Sequence, residues 1–153
     1  MRPPHPAATR TRVTLLIALD PTGIALLLAG PTAFELWPGV RRVGEVAGRV
    51  IVETVLAKDR PAAASVRALP PRRTPTSYVS TFEWVGQDLP LTVGELLLGY
   101  LPGADGSVAT HAALTLDSTG VETSALDGRM LEAMARGFLL NLARAAELRS
   151  HAA

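Results

Sequence analysis

The chain has 153 residues, of which 48% are hydrophobic and only 19% charged, with no cysteine and a formal net charge of +1. That composition excludes a wholly disordered chain, a disulfide framework, a thiolate metal site and a thiol nucleophile, and it lacks the cationic surplus that marks binding to nucleic acid or anionic membranes. It leaves one domain, long enough to bury a core unaided, with more apolar side chains than its charged surface calls for.

Met1 to Thr11 carry three prolines, two arginines and no apolar periodicity, and read as a tail ahead of a single domain over 12–150. From Arg12, the apolar Val13, Leu15, Ile17 and Leu19 sit at alternate positions, which predicts a strand ending at Asp20-Pro21. Asp20 is placed to cap a helix with Pro21 at its first position. Gly30-Pro31 divides the stretch up to Glu35 into two short helices, and Trp37-Pro38-Gly39 closes it. Strands are then predicted over Val40–Ala47, Arg49–Lys58, Ala64–Leu69, Thr76–Val85, Thr92–Leu101 and Ser107–Asp117, separated by Gly, Asp and Pro clusters. The Pro70-Pro71-Arg72-Arg73-Thr74-Pro75 segment cannot lie inside a central strand and reads as a loop or an edge. Ser124 to Ser150 has no proline and places Leu131, Ala135, Phe138, Leu142 and Ala146 on one helical stripe, with Glu132, Arg136 and Arg144 opposite. The predicted class is α+β, a curved antiparallel sheet of about seven strands around a long C-terminal helix, with two short helices after the first strand.

The longest apolar runs, such as Ile24 to Ala29, fall far short of the ~20 residues of a membrane span. With no continuous apolar stretch before Val13, the expected location is cytoplasmic. Fourteen of the fifteen basic residues are arginine, a bias typical of GC-rich genomes such as those of actinobacteria.

The order of elements, the Phe34-Glu35-Leu36-Trp37-Pro38-Gly39-Val40 segment and the Leu101-Pro102-Gly103-Ala104-Asp105-Gly106-Ser107 hairpin together resemble the START-like superfamily. That group is also called SRPBCC, or polyketide cyclase/dehydrase and lipid transport, and the resemblance runs from about Arg12 to Leu148. It implies a helix-grip fold and a hydrophobic ligand held between sheet and helix. The roles it implies range from polyketide cyclisation or dehydration, through carriage or sensing of lipids and hormones, to protein interaction in chaperone activators.

Strand alternation separates an inner from an outer face. The inner sets are Val50, Val52, Thr54, Leu56; Thr76, Tyr78, Ser80, Phe82, Trp84; Gly94, Leu96, Leu98, Tyr100; and Val108, Thr110, Ala112, Leu114, Leu116. Arg49, Glu53, Glu83, Glu95, His111 and Asp117 fall on the other side. Apolar walls dotted with hydroxyls suit a flexible apolar ligand that is oriented by a few hydrogen bonds. Such a site can promote ring closure by holding a reactive conformer, without a strong acid or base. The expected ligand contacts are Trp37, Thr54, Arg67, Ser80, Phe82, Trp84, Leu96, Leu98, Thr110, Leu114, Met134, Phe138 and Leu142. Tyr78 and Tyr100 are the candidate catalytic residues, able to polarise a carbonyl or relay a proton. The plainer alternative for both is a packed tyrosine whose hydroxyl meets a backbone group.

Arg72 and Arg73 are either a solvated loop or a contact for a ligand carboxylate or the phosphopantetheine of an acyl carrier protein. No metal, nucleotide or flavin cofactor is expected. The phosphate-binding, dinucleotide, nucleophile-elbow and zincin motifs are all missing, and His5, His111 and His151 are dispersed along the chain. The expected partners are a hydrophobic small molecule and an acyl carrier protein, not nucleic acid, with the chain a monomer or homodimer.

Overall fold

In the computed structural model, residues 8–29, 33–54, 62–86, 89–119 and 128–151 are described. The first strand, β1 (Ala8–Ile17), pairs antiparallel along its whole length with the last, β8 (Val108–Thr119). It starts four residues ahead of the predicted Arg12, so the tail reading is corrected from Ala8 onward. What holds this extension is the backbone ladder and an ion pair, neither of which leaves an apolar alternation. Arg10 faces Asp117 in register, and its guanidinium donates to the carboxylate through Nε at 2.8 Å and Nη2 at 3.3 Å.

The chain leaves β1 at Asp20, whose carboxylate accepts the Gly23 N–H and caps α1 (Pro21–Ala29). Gly30-Pro31 lies outside the described residues. A 3-10 turn (Ala33–Leu36) follows, and the chain reverses through Trp37-Pro38-Gly39, with Gly39 at φ 69° and the Val40 N–H donating to the Trp37 carbonyl. Then come β2 (Val40–Val46), β3 (Arg49–Thr54), β4 (Ala62–Ala68), β5 (Arg72–Thr74), β6 (Ser77–Gly86) and β7 (Leu89–Pro102). Leu56 and Lys58 lie outside the described residues.

The sheet runs β1-β8-β7-β6-β4-β3-β2, all antiparallel, with the three-residue β5 also paired to β6. It has eight strands, one more than about seven, because the proline segment contributes an edge piece between its prolines. β4 and β5 lie end to end along one side of β6, and Pro70-Pro71 marks the break between them, where no ladder donor is needed.

The long helix α2 (Gly128–His151) buries Leu131, Ala135, Phe138, Leu139, Leu142 and Ala146. Its contacts with the sheet are concentrated on β1 and, next, on β8. It therefore covers one half of the sheet, while α1 and the 3-10 turn stand over β6, β7 and β2. Under α2 the core is continuous: Leu98, Leu114, Leu116, Leu131 and Leu142 are all essentially inaccessible. Burying each such side chain stabilises the fold by about 1.5–3 kcal/mol. Among the described residues, no helix is long and apolar enough to cross a membrane.

Candidate functional site: a two-part cleft over β6

Every second residue of β6 points inward, so Tyr78, Ser80, Phe82 and Trp84 follow one another along one face at ~6.6 Å intervals. Across the β6–β7 ladder they meet Leu98, Leu96, Gly94 and Thr92 in register. Gly94 lets Phe82 lie flat on the sheet, since a Cβ there would fall 2.1 Å from the ring's Cζ. Trp37 then closes the aromatic floor. Its indole stacks on Phe138 at 4.4 Å and stands edge-on to Trp84 at 5.5 Å and to Phe82 at 5.6 Å.

Two half-open spaces lie along this face of β6. The inner one, about 100 Å³, is lined by Leu28, Ala33, Phe34, Trp37, Val66, Ala68, Ser80, Phe82, Trp84, Leu96 and Phe138. Ser80 provides its one hydroxyl, and no lining residue is ionisable, among the described residues. The outer one, about 280 Å³, lies at the start of β6 and is lined by Asp20, Thr22, Arg73, Thr74, Thr76, Ser77, Tyr78 and Tyr100, among others. Tyr78 and Tyr100 are diagonal neighbours on one face, because Tyr78 pairs with Leu98 and the Tyr100 N–H donates to the Thr76 carbonyl at 2.9 Å. Tyr78 is half-buried against the core and Tyr100 is 45% exposed. Among the described residues, neither phenol hydroxyl has a hydrogen-bond partner, so both are open to solvent or ligand. Arg73 pairs with Tyr78 across β5–β6 and sets its guanidinium carbon 5.4 Å from the ring centroid. Arg72, one residue earlier, points to the other face.

Of the expected contacts, Trp37, Ser80, Phe82, Trp84, Leu96 and Phe138 come together around the inner space, and the two tyrosines around the outer one. The others do not line either space. Arg67 is corrected: it is exposed on the outer face, opposite Glu83 in register, because Ala64 and Val66 on the same strand point inward. Leu98, Leu114, Met134 and Leu142 belong to the core, in keeping with α2 covering that half of the sheet. Thr110 is buried with its hydroxyl donating to the Leu19 carbonyl at 2.7 Å, which makes it a structural pin between β8 and the end of β1. Thr54, opposite Val40, is buried as well. Leu28, Phe34, Val66 and Ala68 line the inner space and were not among the expected contacts. The alternation Ala64, Val66, Ala68 along β4 carries that information in the sequence; the position of Leu28 depends on how α1 lies across the sheet.

No protein-family model and no curated protein matches the chain. Solved structures do match over nearly its whole length. A conserved protein from Geobacillus kaustophilus superimposes with a TM-score of 0.64 at 11% identity, covering 91% of this chain and 95% of the other. The Zhui aromatase/cyclase from a Streptomyces species gives 0.56 at 16% identity, covering 94% and 96%. Ara h 8.0201 gives 0.54 at 13% identity, covering 92% and 98%. With its element order, its antiparallel sheet and its single long C-terminal helix, the chain has a helix-grip fold like that of these structures.

Proposed function

We propose that the protein binds a hydrophobic, polyketide- or lipid-like molecule in the cleft and promotes its cyclisation or dehydration without a cofactor, acting in the cytoplasm. The observation that carries this reading is the graded face of β6. Along it a polar mouth with two unengaged phenols and Arg73 is followed, at Ser80, by an aromatic floor with no ionisable group among the described residues. An apolar body is held by the floor, and its oxygenated end meets the phenols. Holding a flexible chain in one folded conformer removes much of the entropic barrier to ring closure. A phenol O–H donated to a carbonyl oxygen stabilises the negative charge that develops there. Arg73 at the mouth suits a ligand carboxylate or the phosphopantetheine of an acyl carrier protein. A solved neighbour over 94% of the chain is named an aromatase/cyclase, which supports this chemistry.

A second reading, a non-catalytic carrier or sensor of the same ligand class, is favoured by the absence, among the described residues, of any ionisable side chain around the inner space. Native mass spectrometry of protein purified from its own host identifies the co-purifying molecule, and incubation with that molecule separates the two readings. For the cyclase, the Tyr78→Phe/Tyr100→Phe variant turns it over ~100-fold or more slowly while still binding it. Undiminished turnover removes the tyrosines from the chemistry, and recovery of the molecule unchanged by the wild type establishes the carrier.

A further inference from the structure

Trp37 lines the inner space, and the way this residue is held bears on what the cleft accepts. The indole is only 5% exposed and is gripped on three sides by Phe138, Trp84 and Phe82. The turn that carries it is fastened to one stretch of α2. Pro38 lies so close to Gly137 that a Cβ there would come within 2.4 Å of the proline Cγ. Two residues of α2 beyond Gly137 complete the grip, since Phe138 stacks on the indole and the Asn141 side-chain amide donates to the Leu36 carbonyl at 2.8 Å. Gly137, Phe138 and Asn141 share one helical face, so backbone and ring are fixed together. A side chain pinned in this way forms a wall.

We infer that Trp37 is the stop that sets how far an apolar chain can reach into the fold, and so selects ligands by length. The inference rests on the reading of the cleft as a hydrophobic ligand site, and it adds an orientation and a ligand class. The ligand is a single-chain amphiphile with its anionic or oxygenated head at Arg73 and Tyr78, its chain passing Ser80 and its far end against the indole. Tyr78 and Phe82 are ~13 Å apart along β6, which sets the scale of the ruler. At about 100 Å³ the inner space suits a chain end.

The test is calorimetric titration of wild type, Trp37→Phe and Trp37→Ala with straight-chain acids from hexanoate through octanoate, decanoate and dodecanoate to hexadecanoate. In the wild type, affinity rises by about fourfold for each added CH₂, the equivalent of ~0.8 kcal/mol, and then levels off where the chain end meets the indole. The expected result is a level-off at longer acids in Trp37→Phe and at still longer ones in Trp37→Ala. Trp37→Phe keeps a ring against Phe138, so the comparison stands even where Trp37→Ala fails to fold. A level-off at the same acid in a folded variant and the wild type overturns the stop while leaving the cleft a ligand site. A wild type that binds none of the acids overturns the ligand-site reading and the stop with it.

Discussion

Gly94 and Thr110 show how single residues divide the inner face into cleft and core. Phe82 lies where it does because Gly94 has no side chain, and a methyl group there must push the ring up into the inner space. Gly94→Ala is therefore expected to lower the urea midpoint, by about 1–3 kcal/mol of overpacking, and to weaken binding of apolar ligands at the same time. Thr110 contributes to stability through its bond to the Leu19 carbonyl. Thr110→Val keeps the shape and is expected to cost about 0.5–1.5 kcal/mol in the same assay, since the part-buried carbonyl loses its partner. Alternation along β6 and β7 was enough to place Phe82, Trp84 and Leu96 on the inner face from sequence. It also put His111 on the outer face, where it stands exposed opposite Gly99 with the β7–β8 register unbroken. The same alternation along β4, with Ala64 and Val66 buried, puts Arg67 on the outer face. The distinction between Arg72 and Arg73 depends on the register of a three-residue strand, which no local pattern encodes.

At the scale of elements, the contact between α2 and the Trp37-Pro38 turn makes a prediction with an unusual sign. Replacing glycine by alanine inside a helix ordinarily stabilises it by about 0.5–1 kcal/mol. At Gly137 the added methyl meets Pro38, so Gly137→Ala is expected to lower the denaturation midpoint and to shift the indole N–H resonance of Trp37. The β7–β8 hairpin offers a pH test. The Asp105 carboxyl is held below its ordinary value, chiefly by the Ser107 hydroxyl and then by the Ser107 N–H, both of which donate to it. A lowered carboxylate pKa gives a contribution that is complete above the ordinary value of about 3.9 and is lost as pH falls through the lower, folded value. The Ser107 amide resonance should accordingly stay constant from neutral pH down to ~5 and move only in more acid solution. Helix and strand order were legible because caps, turns and period all agree from Asp20 onward. The start of β1 was not legible, since backbone pairing and the Arg10–Asp117 bridge leave no periodic trace.

For the whole molecule, the apolar surplus of the composition divides in two. The larger share is the core beneath α2, where Leu98, Leu114 and Leu142 add stability and line neither space of the cleft. The smaller share is the aromatic floor over β4, β6 and β7, which the helix leaves to α1 and the 3-10 turn. The composition signals the total; the division follows from where the long helix crosses the sheet, a property of packing that the helical stripe alone does not contain. The outer face of the sheet also exposes Leu16 and Leu101, which gives the cleft a competitor for apolar partners. The central claim is that the space over β6 is a hydrophobic ligand site, and titration of isotope-labelled protein with decanoate, followed by NMR, tests it directly. The account predicts saturable shifts at Ser80, Phe82, Leu96, Phe138 and the Trp37 indole, with Leu114 and Leu142 unmoved. Shifts confined to Leu16, Leu101 and His111 on the outer face, or no saturable shifts at all, would contradict it.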